Sequence, residues 1–152
     1  MQSQTTATLT TVLSDVLADL AFMFCDGGEY SEQPGESWLE TSIAYKGGVS
    51  GELRLICTRS FAEQLAENLL GIESGEEISK QESTDAVREF MNVVCGQFVT
   101  TAHGTEDVFN LTIPTVTELE VVPFVEGGED ETAQLSVDGQ WLQLRHIEAT
   151  SA

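Results

Sequence analysis

Residues 79–104, with the sequence SKQESTDAVREFMNVVCGQFVTTAHG, carry a start signal and a stop signal for a helix. Ser79 and Glu82 have the spacing of a capping box, in which each side chain accepts a hydrogen bond from the other residue's backbone N–H. Gly104 is a stop signal because glycine is common just after the last turn of a helix. The segment therefore predicts a helix that extends to His103.

The two sides of this helix differ in chemistry. At about 100° per residue, one side can supply a buried stripe: Val87, Phe90, Met91, Val94, Cys95 and Phe98. The opposite side gathers polar or small residues within an arc of roughly 60°: Asp85, Glu89, Asn92, Gly96 and His103. Glycine inside a helix costs about 1 kcal/mol relative to alanine, and the missing side chain could admit a partner's backbone. By spacing alone, these residues also fit an ordinary solvated face, with Gly96 allowing internal packing.

Two more helices are predicted in the N-terminal half. The second of them is short, because Ser60 and Glu63 have capping-box spacing and Gly71 ends the pattern. Asp26-Gly27-Gly28 supplies a stop for the first. Its apolar residues recur at helical spacing: Leu9, Val12, Leu13, Val16, Leu17, Leu20 and Phe24.

Strand patterns separate and follow these helices. Alternation around the pair Gly47-Gly48 predicts an antiparallel hairpin. The residues that alternate with polar or small ones are Leu39, Thr41, Ile43, Tyr45, Leu53, Leu55 and Cys57. Asp138-Gly139, between Val137 and Trp141, is a two-residue hairpin signal. Before it, an extended stretch is predicted to begin with Leu119, Val121 and Pro123 and to turn at Gly127-Gly128. The pattern predicts an α+β fold, an antiparallel sheet packed against helices, in one domain spanning residues 1–152.

The charge balance excludes some classes of partner. Twenty-six acidic and six basic residues give a formal charge of -20, which disfavours nucleic acid and anionic lipid surfaces. We find no signal-peptide pattern and no membrane-length apolar run, so a cytoplasmic location is expected. The spacing of Cys25, Cys57 and Cys95 matches no zinc or disulfide pattern, and their apolar neighbours predict reduced core residues. His103 and His146 belong to no recognisable nucleophilic triad.

Residues 85–92, DAVREFMN, resemble the Asp/Ser-x-x-x-Glu-x-x-Asn signature of the CheC/CheX chemotaxis phosphatases. The surrounding order is similar from about Val49 to Pro123, and includes Gly51-Glu52-Leu53 at a strand start, a helix ending in Asn68-Leu69-Leu70-Gly71, Gly96 in the signature helix, and Pro114 after a loop. Members of the CheC type commonly carry two copies of the signature. This chain has one, so it looks closest to the single-site CheX-like branch.

The resemblance implies a function. The chain would hydrolyse the aspartyl phosphate of a CheY-like response regulator, with Glu89 pairing with the receiver's lysine and Asn92 positioning water. Asp85 and Gly96 would contribute to the partner-binding surface. The chain would bind no cofactor or metal itself, because the receiver supplies Mg²⁺, and it would form a homodimer as CheX-like proteins do.

Two other readings remain open at this point. A receiver-binding signalling adaptor without catalysis would keep the docking face and lack turnover. An acidic structural domain with a chance match to the signature would show no phosphorylation-dependent receiver binding. Measurement of turnover and of receiver binding separates the three readings.

Overall fold

The computed structural model describes residues 4–24, 37–71, 77–106, 108–119, 131–137 and 139–148. Within these ranges the chain forms three helices and six strands. In chain order they are α1 (Gln4–Ala21), β1 (Trp38–Lys46), β2 (Ser50–Thr58), α2 (Arg59–Leu70), α3 (Lys80–His103), β3 (Asn110–Leu111), β4 (Thr115–Leu119), β5 (Glu131–Val137) and β6 (Gln140–Glu148).

The strands form one antiparallel sheet in the order β3-β1-β2-β6-β5, and β4 pairs with the same side of β1 as β3 does. β1 and β2 form the predicted hairpin, with Lys46 opposite Ser50 across the Gly47-Gly48 turn. Val137 lies opposite Gln140, which confirms the predicted hairpin between β5 and β6. Gly139 has a φ of 78°, a conformation that glycine adopts without strain.

The helices cover one face of this sheet, so the predicted α+β architecture is confirmed. Alternate residues of β1, from Leu39 to Tyr45, point into the core and are buried, as strand periodicity requires. Val12 and Leu13 of α1 join the same buried cluster as Phe90 and Val94 of α3. None of the helices in the described ranges is both long and apolar enough to cross a membrane.

A second, smaller apolar cluster lies on the other face of the sheet. It contains Trp38, Ile56 and Trp141, with Leu119 packed against it. The two indole rings meet edge to face, with centroids 6.0 Å apart and an interplanar angle of 71°. This cluster connects β1, β2, β4 and β6 independently of the helices.

The predicted end of α1 is wrong. The helix ends at Ala21, and Phe24 is 65% exposed rather than part of the apolar stripe. Phe22 turns the chain with a φ of 56°, after which Met23 is buried and its backbone N–H donates to the Leu17 carbonyl at 3.0 Å. Burial of Met23 thus ends the helix before the glycine pair, and residues 26–28 lie outside the described ranges.

The predicted N-cap of α2 is also wrong, although the helix and its end at Gly71 are confirmed. The cap is Thr58, whose hydroxyl accepts a hydrogen bond from the Phe61 backbone N–H at 3.0 Å. Thr58 has extended backbone dihedrals because it is still the last residue of β2, and its hydroxyl also donates to Gln140 Oε1 at 2.7 Å. The helix therefore begins directly after the strand, before Ser60.

Of the extended stretch predicted to begin at Leu119, the structure describes only the first residue, and that residue is in a strand. The strand there is β4, which ends at Leu119 and pairs with β1 from Ser42 to Trp38. Its sequence, TVTEL, is largely exposed at the sheet edge and lacks the apolar alternation of a half-buried strand. Val121, Pro123 and the Gly127-Gly128 turn lie outside the described ranges.

Candidate functional site

The signature helix α3 begins and ends where the sequence predicts. Ser79 Oγ accepts from the Glu82 backbone N–H, and Glu82 Oε1 accepts from the Ser79 backbone N–H, both at 3.0 Å. At the other end Gly104, with a φ of 81°, donates its N–H to the Thr100 carbonyl at 2.9 Å. These caps fix the position of the helix along its axis.

The apolar stripe of α3 is buried, which leaves the signature face outward. Every residue of the predicted stripe is at most 1% exposed. On the opposite side Asp85, Glu89 and Asn92 are exposed, and Gly96 is half-buried. The structure therefore brings the four predicted site residues together on one accessible surface.

Glu89 and Asn92 are available to a partner. Among the described residues, neither side chain has a hydrogen-bond or ion-pair partner. Asn92 can both donate and accept, and Glu89 can accept a charged donor. The two groups lie almost one turn apart along the helix, so one incoming surface can contact both.

Asp85 is bound within its own helix. Its Oδ1 atom accepts from Gln81 Nε2 at 2.8 Å and lies 3.7 Å from Arg88 Nη1. Asp85 lies beyond the first turn of α3, where the effect of the helix dipole on a charge is already small. Through these contacts Asp85 can orient the neighbouring side chains of Gln81 and Arg88.

Gly96 faces open space. A Cβ atom added to it would meet no atom of the described residues within 4 Å outside the helix's own backbone. Packing against the described residues therefore does not require glycine at this position. The reading in which Gly96 leaves room for a partner is the one that agrees with the geometry.

A residue that sequence reasoning missed, Arg59, fixes the first turns of α3. From the start of α2 it donates through Nη1 to Ser83 Oγ at 2.7 Å and to Thr84 Oγ1 at 3.3 Å. Its Nη2 lies 2.6 Å from Glu118 Oε1 of β4, and the side chain is only 13% exposed. No local pattern marks Arg59, because its partners are distant in sequence.

Two concave surfaces border the signature face. One, of about 310 Å³, lies between α1 and α3 and is lined by Asp15, Val16, Asp19, Leu20, Val93 and Gln97. The other, of about 270 Å³, lies beyond Gly96 and is lined by Gly96, Val99, Thr100, Gly104, Thr105, Phe109 and Leu111. Sequence reasoning found neither, because both depend on tertiary packing.

Two described thiols and the imidazole of His146 are buried away from this face. Burial raises the pKa of the Cys57 and Cys95 thiols to about 12, which agrees with the predicted reduced core residues, and Cys25 lies outside the described ranges. His103 is exposed, whereas His146 is buried with Nε2 2.8 Å from the Tyr45 hydroxyl. Among the described residues no group of three or more His, Cys, Asp or Glu side chains could hold a metal ion.

Comparison with solved structures shows the same fold. A chemotaxis protein CheX from Desulfovibrio desulfuricans matches with a TM-score of 0.73 at 15% identity, covering 97% of this chain and 100% of its own. CheX from Vibrio vulnificus gives a TM-score of 0.68 at 16% identity, with 98% and 99% covered. The CheX-CheY-BeF3-Mg²⁺ complex from Borrelia burgdorferi gives 0.66 at 20% identity, with 95% and 97% covered.

The family assignment comes from the sequence. The sequence has no significant match among curated proteins. The family model described as chemotaxis phosphatase CheX matches residues 40–124, which is more than half of the chain and includes the whole of α3. The chain therefore belongs to the chemotaxis phosphatase CheX family.

Proposed function

We propose that this chain hydrolyses the aspartyl phosphate of a CheY-like response regulator, with Glu89 docking the receiver and Asn92 positioning the attacking water. The main support for the proposal is the arrangement of Glu89 and Asn92. Both side chains are exposed on the outward face of α3, and neither has a partner among the described residues. The solved complex of a CheX with CheY supports a receiver as partner, and its BeF3 group stands in for a phosphoryl group.

Asn92 suits the hydrolytic step. Water must attack phosphorus in line with the bond to the aspartate oxygen, and this reaction is accelerated mainly by positioning and charge stabilisation. The water oxygen bonds to phosphorus as the phosphorus–aspartate oxygen bond breaks, which gives inorganic phosphate and a free carboxylate, and the water's proton leaves with phosphate or solvent. A neutral amide can hold this water without bringing negative charge to the phosphoryl group.

Glu89 has a docking role. Its carboxylate would accept a charge-assisted hydrogen bond from the receiver's lysine and so fix the register in which Asn92 reaches the phosphoryl group. Asp85, held by Gln81 and Arg88, would support this surface, and Gly96 would let the receiver's backbone approach the helix. Mg²⁺ would be held by the receiver, where it supplies charge neutralisation.

The chain is also proposed to act as a homodimer. Within the described residues, β4 pairs with β1 alone and β5 with β6 alone, so both present strand edges of the sheet. Such edges can pair with a second copy. An adaptor that binds a receiver without turnover remains the second candidate, since exposure of Glu89 and Asn92 agrees with both.

Decay of a phosphorylated receiver decides between the two candidates. Receivers from the source organism, phosphorylated and purified, would be incubated with this chain or with Asn92→Ala. We expect this chain to accelerate phosphate release from at least one receiver and Asn92→Ala to lose at least about 100-fold of the acceleration. Binding without acceleration would establish the adaptor.

A further inference from the structure

The groove between α1 and α3 is continuous with the proposed docking face. Val93, which lines it, directly follows Asn92 and lies one turn beyond Glu89 on the same helix. A receiver docked on Glu89 would therefore lie beside this groove.

The lining combines an aliphatic floor with an acidic rim. Val16 is buried, and Leu20 and Val93 are half-buried against the main core. Asp15 and Asp19 are four residues apart, so they lie on the same side of α1, and both are exposed. Within the described residues neither carboxylate has an ion-pair partner.

We propose that this groove takes a lysine or arginine side chain from the receiver surface beside the phosphorylation site; this inference rests on the proposed function. The apolar stem of such a side chain would lie along Val16, Leu20 and Val93, and its charged head would reach the two carboxylates. A purely apolar side chain would leave Asp15 and Asp19 dehydrated without compensation, and an acidic one would be repelled. The shape and charge of the groove thus favour a long cationic side chain.

The groove gives the family's phosphatase surface a means of selecting its receiver. The formal charge of -20 repels an acidic receiver at long range, and a local cationic contact offsets this repulsion only for receivers that carry the residue at the correct place. Because the contact lies away from the reacting phosphorus, it contributes to binding and leaves the rate of the bound complex unchanged.

A double variant that removes both carboxylates of the groove tests this contact. The double variant Asp15→Asn/Asp19→Asn, called the groove pair, would be compared with Glu63→Gln/Glu67→Gln, called the α2 pair. The α2 pair removes two carboxylates from α2, outside the groove lining. The probe is the receiver that the decay assay identifies as the best substrate, activated with BeF3 and Mg²⁺ for binding and phosphorylated for kinetics. We expect the groove pair to raise Kd and KM about three- to tenfold, with kcat within about twofold.

The α2 pair should leave Kd unchanged or lower it, because removal of negative charge away from the groove only weakens the long-range repulsion. A second series uses Gln97, an exposed residue at the groove. Gln97→Lys should weaken receiver binding, and Gln97→Glu should preserve or strengthen it.

The proposal is overturned if the groove pair binds the receiver as tightly as the α2 pair, or if Gln97→Lys and Gln97→Glu bind alike. Such results would leave the proposed function intact whenever Asn92→Ala still abolishes turnover. If the unmodified chain neither binds nor dephosphorylates any receiver, the proposed function fails and the groove proposal fails with it.

Discussion

Glu89 and Asn92 are near neighbours on α3, yet they should give different kinetic signatures. Glu89→Ala should chiefly raise the Kd for the activated receiver, whereas Asn92→Ala should chiefly lower kcat and retain much of the binding. Asn92→Asp should be at least as damaging as Asn92→Ala, because it replaces a donor with a negative charge facing phosphate. Stopped-flow dephosphorylation combined with equilibrium binding separates the two effects.

Both alanine variants should remain folded. Each side chain is exposed, so the free energy of unfolding should change by no more than about 1 kcal/mol. If folded Asn92→Ala dephosphorylates the receiver at the unmodified rate, the catalytic role assigned to Asn92 is wrong.

His146 should make stability depend on pH. Burial lowers its pKa below the usual 6.5, although the Glu131 and Glu148 carboxylates partly oppose this shift. The unfolded chain therefore binds the proton more readily, so this contribution to stability is complete above about pH 6.5 and is lost as the pH falls through the folded-state pKa. Near it, burial raises the pKa of Tyr45 to about 12, so the hydroxyl stays protonated and can donate to neutral His146.

Urea denaturation between pH 7.5 and 5 measures this effect, with His146→Phe as the variant that keeps a ring and cannot titrate. The free-energy difference between the unmodified chain and the variant should shrink as the pH falls. Repulsion among the many surface carboxylates changes equally in both proteins and cancels in this difference. A difference that is constant over the pH range would contradict the assignment.

Among the helices and strands, sequence reasoning succeeded where local signals decide the structure. The capping-box signal of Ser79 and Glu82 and the hairpin signal of Asp138-Gly139 each act over a few residues, and the predicted cap and the predicted β5–β6 hairpin are both confirmed. Sequence reasoning failed where tertiary contacts determine the ends of the helices. Met23 ends α1 by entering the core, and Thr58 caps α2 because β2 leads directly into the helix.

In the candidate site, too, local spacing predicts some features and tertiary contacts determine others. Helical spacing was sufficient to place Asp85, Glu89, Asn92 and Gly96 on one face, because that face depends on a single element. The contact between Arg59 and Glu118 joins α2 to β4, and no sequence pattern in either segment predicts it. The assignment of chemistry to the face came from the resemblance to the CheC/CheX signature, since periodicity alone also fits a solvated surface.

Arg59 connects three elements, so its removal should loosen the start of α3. Arg59→Met should destabilise the fold by about 1–3 kcal/mol, because it leaves Ser83 without its charged donor and Glu118 with only the exposed Lys80, whose Nζ lies 3.8 Å away. Hydrogen exchange should become faster in the first two turns of α3 and stay unchanged at the centre of the sheet. Arg54→Met is the matched control, because the Arg54 side chain, which pairs with Glu52, is 36% exposed against 13% for Arg59, and its loss should cost less than about 1 kcal/mol. Equal costs for the two variants would contradict a special role for Arg59.

At the scale of the whole molecule, the open strand edges predict a homodimer. Light scattering should give twice the 16.5 kDa mass of the chain at tens of micromolar. Moderate salt should favour the dimer, because it screens repulsion between two chains of formal charge -20. A monomeric mass under these conditions would contradict dimerisation.

The edge-to-face contact of Trp38 and Trp141 gives the molecule an internal optical reporter. These are the two tryptophans of the chain, each is 3% exposed, and both belong to the sheet cluster opposite the helices. Indole emission shifts to longer wavelength when water reaches the ring, so intrinsic fluorescence follows the integrity of the sheet. Substitutions on the outward face of α3 or at the rim of the α1–α3 groove should leave the emission spectrum unchanged, which makes one spectrum per variant a direct check that lost activity reflects lost chemistry.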